Sequence, residues 1–228
     1  MEQSKRQQKE AKILNAAEMV FAQVGFPNAK MEDIAKEAGI SKGSVYFYFK
    51  SKENLYMAIT HRAFELLIQQ YQQGATDHAK ENGITSVRNL FKIYLDYSEQ
   101  HRHYFELLMN YLSLVRSSRH SERLTPALRE SDFFQKVQEI HNIPLNIVVK
   151  EIQRGQEDGS ISNPNPPQLL YLTAWAMIVG YTELNTSSHP SNRGTFFQVP
   201  IIDWKQSIFN MVDSLLLNKA PMRRSSAS

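Results

Sequence analysis

Not one cysteine occurs among the 228 residues. That excludes a disulfide framework and thiolate chemistry, and it fits a reducing cytoplasm. Long apolar runs are missing as well. The most apolar stretch, "LLYLTAWAMIVGY" (169–181), is interrupted by Thr173 and falls short of the about 20 residues of a membrane span. The opening "MEQSKRQQKEAK" lacks the apolar segment of a secretory signal. A cytoplasmic chain with no membrane partner is the expectation. There is also no P-loop, dinucleotide fingerprint or nucleophile elbow. His101 and His103 stand two apart, which on a helix turns them to different faces and makes a poor metal pair. Neither an enzyme nor a metal or cofactor is expected.

Charge of one sign is scarce, with a formal net charge of only +3. Its placement says more. Residues 1–52 hold nine Lys/Arg against six Asp/Glu, whereas residues 53–228 hold 17 of each. All of the excess positive charge lies in the first quarter, as in a small basic module joined to a neutral body.

Period-2 alternation is absent, and helical spacing is nearly everywhere, so the fold class is all-α. Ile13, Ala17, Val20, Phe21 and Val24 form the stripe of a helix that stops at Gly25. A second helix fits "AKMEDIAKEAG", with Met31, Ile34, Ala35 and Ala38 inward and Gly39 after its end. Ser41 caps a third helix through about Phe49. Ser51 caps a fourth whose buried side is Leu55, Ile59, Ala63, Leu66 and Ile68. Further helices are expected at 84–99, 103–116, 126–158 (kinked at Pro144), 166–185 and 202–218, with 185–200 a loop and 219–228 a frayed tail.

The stretch "SKGSVYFYFKSKENLY" sets four adjacent aromatics, Tyr46 to Phe49, among Lys42, Lys50 and Lys52. Helices two and three joined at "AGIS" make a helix-turn-helix. Val45 and Phe49 share a face that can dock on Ile34 and Ala38. A helix cannot bury all its sides in so small a unit, so at least two of the rings lie near the surface. Small residues at the 42–44 end suit close approach to base edges, and amphipathic rings suit sugar and phosphate. Lys52, at the start of the next helix, suits a phosphate. Lys5, Arg6 and Lys9 read either as solvated cations or as a flexible arm near the backbone.

Gly25 followed by "MEDIAKEAGISKGSVYFYFKSKENLY" closely resembles the N-terminal DNA-binding domain of the tetracycline-repressor (TetR) family of bacterial transcription regulators. The matching points are Ile34-Ala35, Ala38-Gly39-Ile40-Ser41, Lys42-Gly43, Tyr46, Phe49 and Ser51-Lys52-Glu53-Asn54-Leu55. The resemblance covers about residues 9–60; beyond it, helical layout and "RGQEDGSI" agree. It implies a helix-turn-helix domain at 1–52, a larger helical effector-binding and dimerisation domain at 53–218 with 53–72 as connector, and the tail. It also implies that Lys42, Gly43, Ser44 and Phe47 meet base edges while Tyr46, Tyr48 and Lys52 hold phosphates. Where the family usually opens the second helix with Thr, this chain has Lys30, kept as a weaker contact, with Asn28 as the nearby capping side chain. Phe47 cannot hydrogen-bond to a base but can pack on a thymine methyl.

For the body, the resemblance implies a homodimer on a palindromic double-stranded operator, released by a small-molecule effector that moves the fourth helix. Trp175, Ile178, Trp204, Ile208, Val212 and Leu215 are the expected dimer-interface residues. The body carries 15 of the chain's 24 aromatics, counted over 73–218. Tyr94, Tyr97, Tyr104, Phe105, Tyr111, Phe133, Phe134, Tyr171 and Trp175 are candidate effector-binding rings, for a largely apolar ligand. Arg116, Arg119, Arg123 and Arg129 either serve an anionic effector or form a solvated connection. The alternative is a helix-turn-helix regulator with no small-molecule effector.

Overall fold

The computed structural model describes residues 2–117, 125–186, 195–196 and 198–218. Its helices are α1 (Glu2–Asn28), α2 (Met31–Glu37), α3 (Lys42–Tyr48), α4 (Lys52–Asp77), α5 (Gly83–Gln100), α6 (Arg102–Ser117), α7 (Pro126–Arg129), α8 (Asp132–Ile140), α9 (Ile143–Glu157), α10 (Pro167–Thr186) and α11 (Ile201–Leu216). The tail 219–228, Arg119, Arg123, and the side chains of Arg116 and Arg129 lie outside the described residues. Among the described residues, no helix is long and apolar enough to cross a membrane.

The chain forms two compact units, each built from two segments. The first unit is Met1–Leu67 with His101–Asn142, and the second is Ile68–Gln100 with Ile143–Ser228. The first unit thus groups α6 to α8 and residues 53–67 of α4 with residues 1–52.

In the first unit, α1 breaks at Gly25, whose φ of +74° suits a residue without Cβ. One further turn follows, closed by Ala29 N–H donating to the Gly25 carbonyl at 3.1 Å. The apolar stripe packs as its spacing demands: Ile13, Ala17 and Val20 join Met31, Ile34, Ala35, Ala38, Val45, Phe49, Leu55 and Ile59 in one buried cluster. On α4, Leu66 is only half-buried, and Phe64 and Leu67 take its place inside.

The single helix expected over 126–158 is three helices. Ser131 interrupts it by turning its hydroxyl to accept from Phe134 N–H at 3.3 Å, which caps α8. Pro144 does not kink a continuous helix. It is the second residue of α9, where a missing N–H costs nothing.

In the second unit, α5 packs on α9, and α10 packs on α9, α11 and α5. The α5–α9 crossing is a backbone-to-backbone approach: a Cβ on Gly83 would stand 2.2 Å from Gly155 N. The start of α5 is held from the same side, with Gly83 N–H donating to Asp158 Oδ2 at 2.7 Å and Ile84 N–H to Ser160 Oγ at 3.1 Å. The expected 185–200 loop contains an antiparallel pair, Thr195–Phe196 with Val199–Pro200, turned at Gln198 with φ +64°. Two residues per strand are too few to show alternation in a sequence.

Candidate nucleic-acid interface

The turn between α2 and α3 is set by backbone hydrogen bonds. Gly39 (φ +60°) donates to the Lys36 carbonyl and Ile40 N–H to the Ala35 carbonyl, each at 3.0 Å, a Schellman closure that requires a left-handed residue. Ser41 then opens α3, its Oγ accepting from Ser44 N–H at 3.1 Å and lying 2.8 Å from Ser44 Oγ. Val45 and Phe49 are buried, and Phe49 is the extended residue that ends α3.

With that face used inward, the opposite face is presented to solvent. Tyr46 is 42% and Phe47 75% exposed, Tyr48 is half-buried, and Phe47 meets Tyr48 edge-on at 5.2 Å. Gly43 is exposed; an added Cβ would meet nothing nearer than Ser41 Oγ at 4.0 Å, so internal packing does not demand glycine there. The effect of its missing side chain is external: a backbone open to close approach. Lys9, Ile40, Ser41, Gly43, Ser44, Phe47 and Tyr48 line one concavity of about 460 Å³. Lys9 is thus brought beside the α3 opening, on α1 and not on a flexible arm, while Arg6 pairs with Glu10 at 3.0 Å.

Two cations behave otherwise than expected. Lys42 is ion-paired with Glu32 in the first turn of α2, and its ammonium lies 5.7 Å from the Tyr46 ring centroid. The pair holds the Glu32 carboxyl below its ordinary range and raises Lys42 above its own, through their shared hydrogen bond. Lys52 turns inward. Its Nζ donates to the carbonyls of Phe26 (2.8 Å), Pro27 (3.1 Å) and Ala29 (3.1 Å) and sits 4.7 Å from the Phe26 ring centroid. All three ammonium protons are engaged, so the side chain clamps the end of α1 and does not face outward as a phosphate ligand. Lys30 is exposed at the start of α2 and gives it no side-chain cap; Asn28 donates back to Val24 and caps nothing in α2.

A family model described as "Bacterial regulatory proteins, tetR family" matches residues 13–59, which span α1 through the first part of α4. Residues 13–59 thus match the tetR family.

Among its relatives, the HTH-type transcriptional regulator RutR of Escherichia coli (strain K12) is 30% identical over 93 residues, 41% of this chain. The matched part spans only 42% of RutR's length. The uncharacterized HTH-type transcriptional regulator YhgD of Bacillus subtilis (strain 168) is 29% identical over 176 residues, 75% of this chain and 80% of that protein. Two solved structures share the fold. The TetR family regulator PfmR from Thermus thermophilus has a TM-score of 0.62 at 17% identity, covering 92% of this chain and 99% of that one. FadR from Bacillus subtilis, solved in complex with stearoyl-CoA, has a TM-score of 0.64 at 19% identity, covering 90% and 97%.

The nine candidate effector rings divide between the units. Tyr94, Tyr97, Tyr171 and Trp175 belong to the second, where the first three are buried and Tyr171 lies parallel to Trp175 at 6.4 Å. Tyr104, Phe105, Tyr111, Phe133 and Phe134 belong to the first. There Phe133 stacks on Phe49 at 6.1 Å, and Tyr104 donates to Glu18 Oε1 at 2.8 Å. Arg62 also donates to Glu18, at 3.0 Å, so α1, α4 and α6 are joined by a polar contact that no sequence motif announces. Tyr111 packs on Phe64 and Phe134; burial pushes its phenol up to about 12.

Of the expected dimer residues, Ile178 and Val212 are buried in the single chain. Trp175, Trp204, Ile208 and Leu215 are half-buried, and Trp204 meets Tyr181 at 4.8 Å. The exposed apolar side of α10 is instead Leu169, Leu172 and Leu184, while the exposed Ile202 and Met211 of α11 stand nine residues apart, on opposite sides of that helix. An apolar stripe marks a packed face without saying which partner packs on it.

Proposed function

We propose that this protein is a DNA-binding transcriptional regulator, a repressor that binds a palindromic double-stranded operator as a homodimer in the cytoplasm. The observation that carries the reading is the outer face of α3, where an open Gly43 backbone, Lys42, Tyr46 and Phe47 stand together on a buried base. Ser44 and the Gly43 backbone approach base edges, Phe47 packs on a thymine methyl, and Tyr46, Tyr48, Lys9 and Lys30 approach the phosphates. Lys42 reaches the nucleic acid once it leaves Glu32. The dimer uses the exposed Leu169, Leu172 and Leu184 side of α10, since two copies double the contacts of one small reading head.

Release by a small, largely apolar effector is the finer part of the proposal, supported by the likeness of fold to FadR, which was solved with stearoyl-CoA. A second reading, a regulator without a small-molecule effector, is favoured by one observation: the candidate rings lie in two units and many are core. Titration of the full chain with its own upstream DNA, at two salt concentrations and with and without long-chain acyl-CoA, tests both. Tight, salt-sensitive binding abolished by the acyl-CoA supports the first reading. Binding that no such compound disturbs supports the second, and no salt-sensitive binding removes both.

A further inference from the structure

We propose that a cavity of the first unit, between the end of α1, the start of α4 and α6, binds a small planar aromatic molecule carrying an amidine-like N–H donor group. The cavity has about 240 Å³. Its aromatic wall is Phe21, Phe26 and Tyr56, whose rings meet one another at 4.6–6.0 Å. Ile59 and Leu107 complete an apolar floor. The polar side belongs to α6: His103, Glu106 and Asn110, spaced three and four apart on one helical face.

The polar groups are poorly served by the protein. His103 Nε2 is buried and has no hydrogen-bond partner among the described residues. Tyr56 Oη receives only a long 3.4 Å contact from Asn110 Nδ2. Tyr56 Oη, with its long contact, is open to a further partner from the cavity, and a turn of the His103 ring would bring its unpaired nitrogen to the same space. The cavity's volume exceeds the roughly 30 Å³ share of one water several times over, which admits a single ring. Glu106, exposed and ion-paired with Arg102 at 3.3 Å, is the one acidic side chain on the wall, so an N–H donor or cation has to share its carboxylate with Arg102, while an anion finds no partner there.

The position has a consequence for the head. Phe26 is at once a wall of the cavity and the ring beneath the Lys52 ammonium, which ties the carbonyls of Phe26, Pro27 and Ala29 ahead of α2. Gly25, where α1 breaks, lines the same cavity. An occupant therefore fixes the joint from which α2 and α3 project. Binding stands apart from the DNA-reading proposal; its effect on DNA affinity rests on that proposal.

The test uses the full chain and three ring probes of one shape: benzamidine (cation), benzamide (neutral) and benzoate (anion), titrated by calorimetry. Saturable 1:1 binding of benzamidine is expected, with benzamide about tenfold weaker and benzoate silent. Glu106→Gln should erase the preference for benzamidine, and Ala22→Leu, at an exposed wall position, should fill the space and abolish binding of both. Melting curves of the two variants confirm folding. No saturable binding, meaning a cavity that holds only water, overturns the proposal, as does binding that both variants leave unchanged. Operator affinity is then read with saturating benzamidine. A change lost in Glu106→Gln supports the coupling, and intact benzamidine binding with unchanged operator affinity overturns it.

Discussion

Replacing Lys52 by methionine keeps the aliphatic stem over Phe26 and removes the ammonium that three carbonyls share. A hydrogen bond with a charged partner contributes about 1.5–3 kcal/mol. The three here draw on one charge, and the bond to Pro27 is exposed, so its carbonyl rehydrates when the donor goes. The two part-buried bonds, to Phe26 and Ala29, carry most of the effect. A loss of about 2–3 kcal/mol is expected. With a urea slope near the upper end of about 1–3 kcal/mol per molar, the midpoint of the transition that unfolds the first unit falls by roughly 1 M. Circular dichroism in urea reads it. The companion measurement is the salt dependence of binding to random-sequence DNA. A lysine on a phosphate removes about one unit of slope when deleted; a lysine spent on α1 leaves the slope unchanged. A midpoint that stays put, together with a slope that drops by one, would refute the clamp and restore the sequence-based role.

Glu32→Gln frees Lys42, so binding to random DNA should tighten several-fold with a steeper salt dependence, by about one unit in a fluorescence-anisotropy titration. Tyr46→Phe should leave thermal stability unchanged and weaken binding to all sequences alike. Ser41→Ala removes the cap of α3 and should cost about 1 kcal/mol in urea unfolding. Gly83→Ala drives a Cβ against Gly155 backbone and should cost about 3 kcal/mol, whereas Gly155→Ala, which meets the buried Ile161 side chain at 2.6 Å before any backbone, should cost about 2 kcal/mol. Leu172→Glu should shift sedimentation toward a single chain while leaving monomer melting intact.

The helix-turn-helix was legible because everything that shapes it is local. The Gly39 closure, the Ser41 and Ser51 caps, and the Val45 and Phe49 face are contacts over three to five residues, and such spacing is visible in a string of letters. Lys52 and its carbonyls are 23 to 26 residues apart, Lys42 and Glu32 are ten apart, and Tyr104 and Glu18 are 86 apart. At those separations the letters give the chemistry of each group but not its partner. The 126–158 break has a signal of its own: Ser131 before Asp132, and a proline at 144, are start marks of new helices, not a defect in an old one. The faces of α10 and α11 had none, because spacing distinguishes inside from outside only when the number of packing neighbours is known.

Each compact unit is assembled from two separated stretches of chain, and this bears on how the protein is made. A ribosome delivers α5 with its apolar face of Leu90, Phe91, Tyr94 and Leu95, all buried in the finished protein, well before it delivers α9. Between them comes His101–Asn142, which belongs to the other unit. At about 5–20 residues per second, that interval lasts on the order of seconds. During it, Gly83 has no Gly155 to lie against and α5 carries its apolar side without its native partner. The α1 to α4 cluster emerges almost whole, waiting only for Leu107, Tyr104 and Phe133 from the later stretch. A slowed or truncated translation product is thus expected to hold a largely packed α1 to α4 cluster and a sticky, unfinished second unit, the species that chaperones would meet first.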